Sequence, residues 1–328
     1  MFAYQPLQWL FLFYFYSFFG WCFESAYVSI LQKRLVNRGF MRGPFLPLYG
    51  SGGIMMLVVS KPYYDNILLV YIAGCIGATA LEYVVGVVME ALFKVRYWDY
   101  SHKKFNFHGY ICLESTLVWG FFTVVFTHYL QLPIEALVMS IPYNILTVVT
   151  VFVTVCISID FGIAFRTALD IRDVIMYMER AKVEMARMQK RLDVIIAFKG
   201  EDARESIEGA ASAIGGSLGG LASTVGSIGS GITSRYDALA SSLEKSFGTL
   251  KEKMAMDPAS YIGNVREEVT ELYAKYRVLA SKFTPAPVKS IYEWYRERTI
   301  AGNPTMASDE FNASLQEMKD RIRRKDSK

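Results

Sequence analysis

The chain has 328 residues, 52% of them hydrophobic, 15% aromatic and only 20% charged, with a mean hydropathy of +0.23. Residues 1–165 hold 17 Asp, Glu, Lys or Arg residues and residues 166–328 hold 49, so the first half is too apolar for a water-soluble domain and the second too polar for a bilayer. The net charge of +4 is spread too evenly over the two halves to argue for a nucleic-acid partner. Cys22, Cys75, Cys112 and Cys156 all lie in apolar runs with no CxxC pair, so buried packing is expected of them rather than disulfides or a metal site, and no cofactor is implied.

A membrane span needs about 20 mostly apolar residues. Five segments qualify, at residues 7–32, 46–60, 66–93, 110–129 and 134–161, which makes residues 1–165 a transmembrane domain. The first is read as a retained helix rather than a signal. Lys33, Arg34, Arg38 and Arg42 follow span one, and Lys94, Arg96, Lys103 and Lys104 follow span three. The alternate connections carry Lys61 alone or no basic residue at all. Basic loops stay on the cytoplasmic side, which predicts an outer N-terminus and a cytoplasmic tail.

Beyond the spans, Ile171, Val174, Met178, Ala181, Met185, Met188, Leu192 and Ile195 settle into alternating steps of four and three. That seam predicts a coiled-coil helix over 166–200, which either joins two copies as a homodimer or packs on the tail's own later helices. Residues 201–235 form a Gly/Ser/Ala-rich stretch in which Ile214, Leu218, Leu221, Val225 and Ile228 keep the same phase. Its uncharged polar face resembles amphipathic lipid-packing sensors, so adsorption to a bilayer stands beside a plain linker. A helical region at 236–283 follows, then a Pro-containing linker and a terminal basic helix over 284–328.

Ionisable residues within spans are costly and are functional hypotheses by default. Glu24, Glu82, Glu90 and Glu114 fall in spans one, three and four. At 1.5 Å per residue, Glu24 lies roughly 12 Å, Glu82 about 16 Å and Glu114 about 6 Å from the inner helix ends. The inner loops add Asn37, Arg38, Arg42, Asp99, Asn106 and His108. One reading makes the glutamates buried pairs that fix helix packing. The other makes them line a cytoplasm-facing cavity for a cation, a cationic group or protons. Catalytic arrangements are weaker, because Ser51 and His128 fall at opposite faces and His108, Cys112 and Glu114 match no metal-ligand spacing. No catalytic residue and no metal ligand is assigned. The chain has no GxxxxGK[ST] motif and therefore no phosphate-cradling loop of its own. Asn37-Arg-Gly-Phe and Asn106-Phe-His-Gly-Tyr echo one another in the two inner loops.

These loop motifs carry a family resemblance. Phe19-Gly20-Trp21-Cys22-Phe23-Glu24, then Val36-Asn37-Arg38-Gly39-Phe40-Met41-Arg42-Gly43-Pro44-Phe45-Leu46-Pro47-Leu48-Tyr49-Gly50, resemble the bacterial "putative ABC-transporter type IV" permease family. Leu81-Glu82, Trp98-Asp99-Tyr100-Ser101 and Asn106-Phe107-His108-Gly109-Tyr110-Ile111 follow in the same order. The resemblance covers roughly residues 10–160 and leaves out the tail. It implies a multi-pass protein of a bacterial cytoplasmic membrane, serving as a permease component.

The sequence thus predicts an all-α, polytopic membrane protein with about five transmembrane helices and a cytoplasmic helical tail. The leading function is an ABC-permease-like subunit whose ATPase is a separate chain docked on the inner loops or tail. The alternative is a membrane scaffold or sensor acting through the coiled coil and amphipathic segment, with an intramembrane enzyme third.

Overall fold

The computed structural model describes residues 4–197, 235–256, 264–281 and 291–326, and helix dominates it. Helix α1 spans Pro6–Gln32, α2 Pro47–Ser60 and α3 Ile67–Phe93. Proline at the first turn starts α1 and α2, where its missing N–H costs nothing. Asn66 caps α3 by accepting from the amides of Leu68 and Leu69 at 3.1 and 3.2 Å. A two-stranded antiparallel hairpin, β1 Asn106–Phe107 and β2 Ile111–Cys112, precedes α4 at Leu113–Val125. A π-turn over Phe126–Leu130 joins α4 to α5, Gln131–Ser140, and α6 then runs through Tyr143–Ala197. The later helices are α7 Arg235–Met256, α8 Asn264–Ser281, α9 Ile291–Gly302 and α10 Asn312–Asp326.

Among the described residues three helices are long and apolar enough to cross a membrane: α3, the continuous Leu113–Ser140 segment and α6. Much of their exposed surface is apolar, including Ile76, Val84, Phe121, Val148 and Phe152, as a hydrocarbon environment requires. Helix α2, with 14 residues, is about 21 Å long and falls short of a bilayer core. Helix α1 has the length, but its Tyr, Trp and Ser residues keep its hydropathy down.

The turn expected between spans four and five is displaced. A break was expected near residues 130–133, but the helix continues to Ser140 and the chain reverses at Ile141-Pro142. Pro133 falls in the first turn after the π-turn, where a missing donor is tolerated. Ile141 precedes a proline and is extended, with φ −77° and ψ 124°, which ends the helix there.

Two compact units divide the chain. The first joins residues 1–174 to 290–328, and the second spans 175–289. The contact division at 174 differs from the compositional one at 165, and α9 and α10, from the C-terminal stretch expected to hold a linker and a basic helix, group with the first unit. Composition could not reveal this, because joining contacts such as Arg38–Asn303 and Arg296–Asp170 are polar and lie more than 120 residues apart.

In the second unit, Ala181, Met185, Met188, Leu192 and Ile195 of α6 are buried against Leu243, Phe247 and Leu250 of α7 and Tyr276 of α8. Truncating a buried leucine in such a core costs about 2–5 kcal/mol. The heptad seam was expected either to join two copies or to pack on the tail's own later helices, and here α7 and α8 cover it, because they present matching apolar faces. Arg191 of α6 adds an ion pair to Glu268 of α8 at 2.5 Å. The segment carrying Ile214, Leu218, Leu221, Val225 and Ile228 lies outside the described residues.

Candidate functional site

The loops after α1 and α3 meet α6 and the C-terminal helices at one end of the first unit. Both loops leave their helices through a lysine in the left-handed region, Lys33 at φ 51° and Lys94 at φ 58°. Gly39, at φ +119°, turns the first loop through a conformation that other residues adopt only under strain.

Arg38 is 7% exposed. Its guanidinium donates to Glu24 Oε1 at 3.4 Å, Asn303 Oδ1 at 2.9 Å, the Tyr97 carbonyl at 3.0 Å and Thr305 Oγ1 at 2.9 Å. Asn303, only 1% exposed, returns donors to the carbonyls of Gly39 and Thr299. Removing one partner of a buried charged network costs about 3–5 kcal/mol, so this knot ties α9 firmly to the first loop. Gly302 allows the approach: a Cβ there would stand 2.4 Å from the Asn37 carbonyl oxygen.

Arg42 lies with its guanidinium 3.1 Å from the Tyr295 ring centre and donates to Thr167 Oγ1 at 2.5 Å. Burial lowers its proton affinity, while Tyr295 and Asp160 oppose that shift. Asp160 of α6 accepts the backbone amides of Arg42 and Gly43 at 3.2 and 2.8 Å.

Arg96, on the second loop, exchanges backbone hydrogen bonds of 2.9 Å with Ala307 in both directions. Its guanidinium lies 3.6 Å from both Glu90 and Asp99, pairs with Asp309, and donates to the His108 carbonyl at 2.8 Å. Burial would raise the Asp99 carboxyl, yet hydrogen bonds from Ser101 and the Arg96 charge hold it below the usual carboxylate range.

Glu82 of α3 is 6% exposed and has different company. It accepts from Tyr100 Oη at 3.0 Å, Trp119 Nε1 at 3.3 Å and Ser115 Oγ at 3.4 Å. Among the described residues no Lys or Arg forms an ion pair with it. Burial and then the Glu82 charge push the Tyr100 phenol well above its ordinary range, so Tyr100 stays a donor.

The predicted residues therefore separate. Tyr49 donates to Glu24 at 2.6 Å and packs edge-on against Trp119, so Glu24 and Glu82 belong to one connected polar network. Glu90 joins Arg96 instead, and Glu114 is exposed and paired with Lys103 at 2.8 Å. Asn37 accepts from Trp21 at 2.6 Å and donates to the Arg42 carbonyl, while Asn106 ties the hairpin through Lys103 and Gly109. The His108 carbonyl serves Arg96. Of three clefts among the described residues, of about 430, 640 and 280 Å³, the second is lined in part by Asn37, and none is lined by Glu24, Glu82, Glu90 or Glu114.

Sequence reasoning gave no site role to Tyr49 and Tyr100, although both lie in the loop motifs, and it missed Asp160, Tyr295, Asn303, Thr305 and Asp309, which sit in ordinary polar or aromatic contexts and carry no spacing signal. It also missed Gln131, fully buried between Tyr16 and Tyr4 at 2.5 and 2.8 Å, whose place in an apolar run was the available clue. Among the described residues no group of His, Cys, Asp and Glu is placed to hold a metal ion.

No curated protein and no solved structure matches the chain. Residues 11–165, which supply most of α1, all of α2 to α5, both loops and the first turns of α6, match the family model described as "Putative ABC-transporter type IV", so this part of the chain is similar to a transporter family.

Proposed function

We propose that this protein is the membrane-embedded, permease-like subunit of an ABC-type transporter, working with a separate ATPase chain. The observation that carries the reading is Glu82. A buried carboxylate on a bilayer-length helix meets three hydrogen-bond donors and no cation. Such a group attracts a cation, a cationic substrate group or a proton, because its remaining charge is uncompensated.

Tyr100 provides the coupling element. It sits on the loop whose Arg96 is bonded to the C-terminal segment, so movement of that loop changes the donors around Glu82. An ATPase docked on the loops and α9–α10 would act through this connection. In this reading α1 and α2 also enter the bilayer, giving five passes. The Lys and Arg residues of both loops then face the cytoplasm, in accord with their retention on that side.

Purification in mild detergent tests the assembly, since a stoichiometric ATPase is expected to remain attached. In the reconstituted complex, Glu82→Gln should lower substrate-stimulated ATP hydrolysis about tenfold, equivalent to roughly 1.4 kcal/mol of barrier. Glu114→Gln should leave it unchanged. Absence of any ATPase, together with normal behaviour of Glu82→Gln, would sink the transport reading. The self-contained core of residues 175–289 favours one second reading, a scaffold that offers a folded helical platform at the membrane.

A further inference from the structure

A cationic groove lies beside the end of α1, apart from the Glu82 network. Its larger part, about 640 Å³, is walled by Trp21, Cys22, Ala26 and Leu35 and reaches Arg34 and Arg298. Its smaller part, about 280 Å³, shares Arg34 and Ala301 with the first and adds Lys319 and Arg323. Four cations thus line the two joined clefts, and among the described residues no Asp or Glu does. Arg34 donates to the Ala301 carbonyl at 3.1 Å, and Lys319 to the carbonyls of Pro304 and Met306 at 3.0 and 2.5 Å, which fixes both heads at the groove. Arg298 is held against the Trp294 ring at 5.2 Å.

Apolar surface continues from this groove along α1. Phe23, Tyr27, Ile30 and Leu31 are exposed, and Leu35 is 98% exposed. One ligand class has both a compact anionic head for the cations and hydrocarbon for these side chains. We propose that the groove formed by α1, the Arg34–Asn37 stretch, α9 and α10 binds the phosphodiester headgroup of an anionic phospholipid, whose acyl chain lies along the exposed face of α1. The volume suits a headgroup, and clustered basic residues at a helix end carry this recognition elsewhere. Burial, reinforced by the neighbouring Arg323 charge, lowers Lys319 to about 8, a crowding that a bound phosphate relieves. The inference needs α1 to lie in lipid and does not depend on transport.

Native mass spectrometry of the full chain from mild detergent, titrated with phosphatidylglycerol and with phosphatidylcholine, tests the assignment. Wild-type protein should retain phosphatidylglycerol preferentially. The pair Arg298→Gln and Arg323→Gln should weaken that retention about tenfold. Arg298→Lys with Arg323→Lys should keep most of it and also reports on folding. A control pair in the second unit, Arg187→Gln and Lys275→Gln, removes equal charge and should change nothing. Equal retention by the first pair, equal loss in the control pair, or full displacement by inorganic phosphate at matched concentration would each overturn a lipid site.

Discussion

The loops after α1 and α3 start alike and then hold the C-terminal helices by different physics. Each follows a helix of 27 residues, each begins with a left-handed lysine, and each buries an arginine. Arg38 meets one carboxylate and three uncharged oxygens, from Asn303, Thr305 and Tyr97. Arg96 meets three carboxylates, Glu90, Asp99 and Asp309, beside a two-way backbone bridge to Ala307. Directional bonds to neutral acceptors fix where α9 sits. Charge pairs with an exposed partner add attraction that water and salt weaken.

The largest effect that separates the two loops is expected at Arg38. Arg38→Met leaves Glu24 without its cation and Asn303 Oδ1 with only the Gly39 amide as donor, at a cost of about 3–5 kcal/mol. Thermal unfolding in detergent should show it, and an unchanged melting temperature would erase the distinction. Gly302→Val comes next, because the obstructing atom is a backbone oxygen that cannot swing away. A loss of about 1–3 kcal/mol and faster proteolysis between α9 and α10 are expected.

Asp309→Asn probes the second loop and should cost no more than about 1 kcal/mol, since Asp309 is largely exposed. That loss should shrink in 1 M salt, whereas the Arg38→Met loss should not. The smallest effect concerns Lys319, lowered to about 8 by burial and then by Arg323. A base with a lowered value costs docking stability in full below pH 8, and the cost fades as the pH rises toward 10.5. Urea-induced release of α9, followed by Trp294 fluorescence, should therefore need more urea at pH 10 than at pH 7. Lys319→Met should flatten that difference.

Much of the fold was legible because apolar runs and heptad phase are local signals. The helices expected at 7–32, 46–60 and 66–93 and those of the tail follow from residue order alone, and of the first three α3 is long and apolar enough to cross a membrane. The turn at Ile141-Pro142 was not legible, since Pro133 is equally prominent in the sequence and only the π-turn makes it harmless. Of the candidate site, the four glutamates were found as a set, but their partners divide them. Glu24 and Glu82 share an aromatic network, Glu90 belongs to Arg96, and Glu114 faces outward with Lys103.

Residue order by itself determined that the first half is helical and apolar, that two loops concentrate basic charge, and that the tail carries heptad seams. These follow from how many charges a stretch holds and how its apolar residues are spaced. Only the tertiary structure decided that the last helices rejoin the first unit and that α7 and α8 cover the α6 seam. It alone decided, too, that of the four glutamates Glu82 is the one with no Lys or Arg ion pair among the described residues. Those outcomes depend on hydrogen bonds and burial between residues far apart in the chain, whose directions no local pattern encodes.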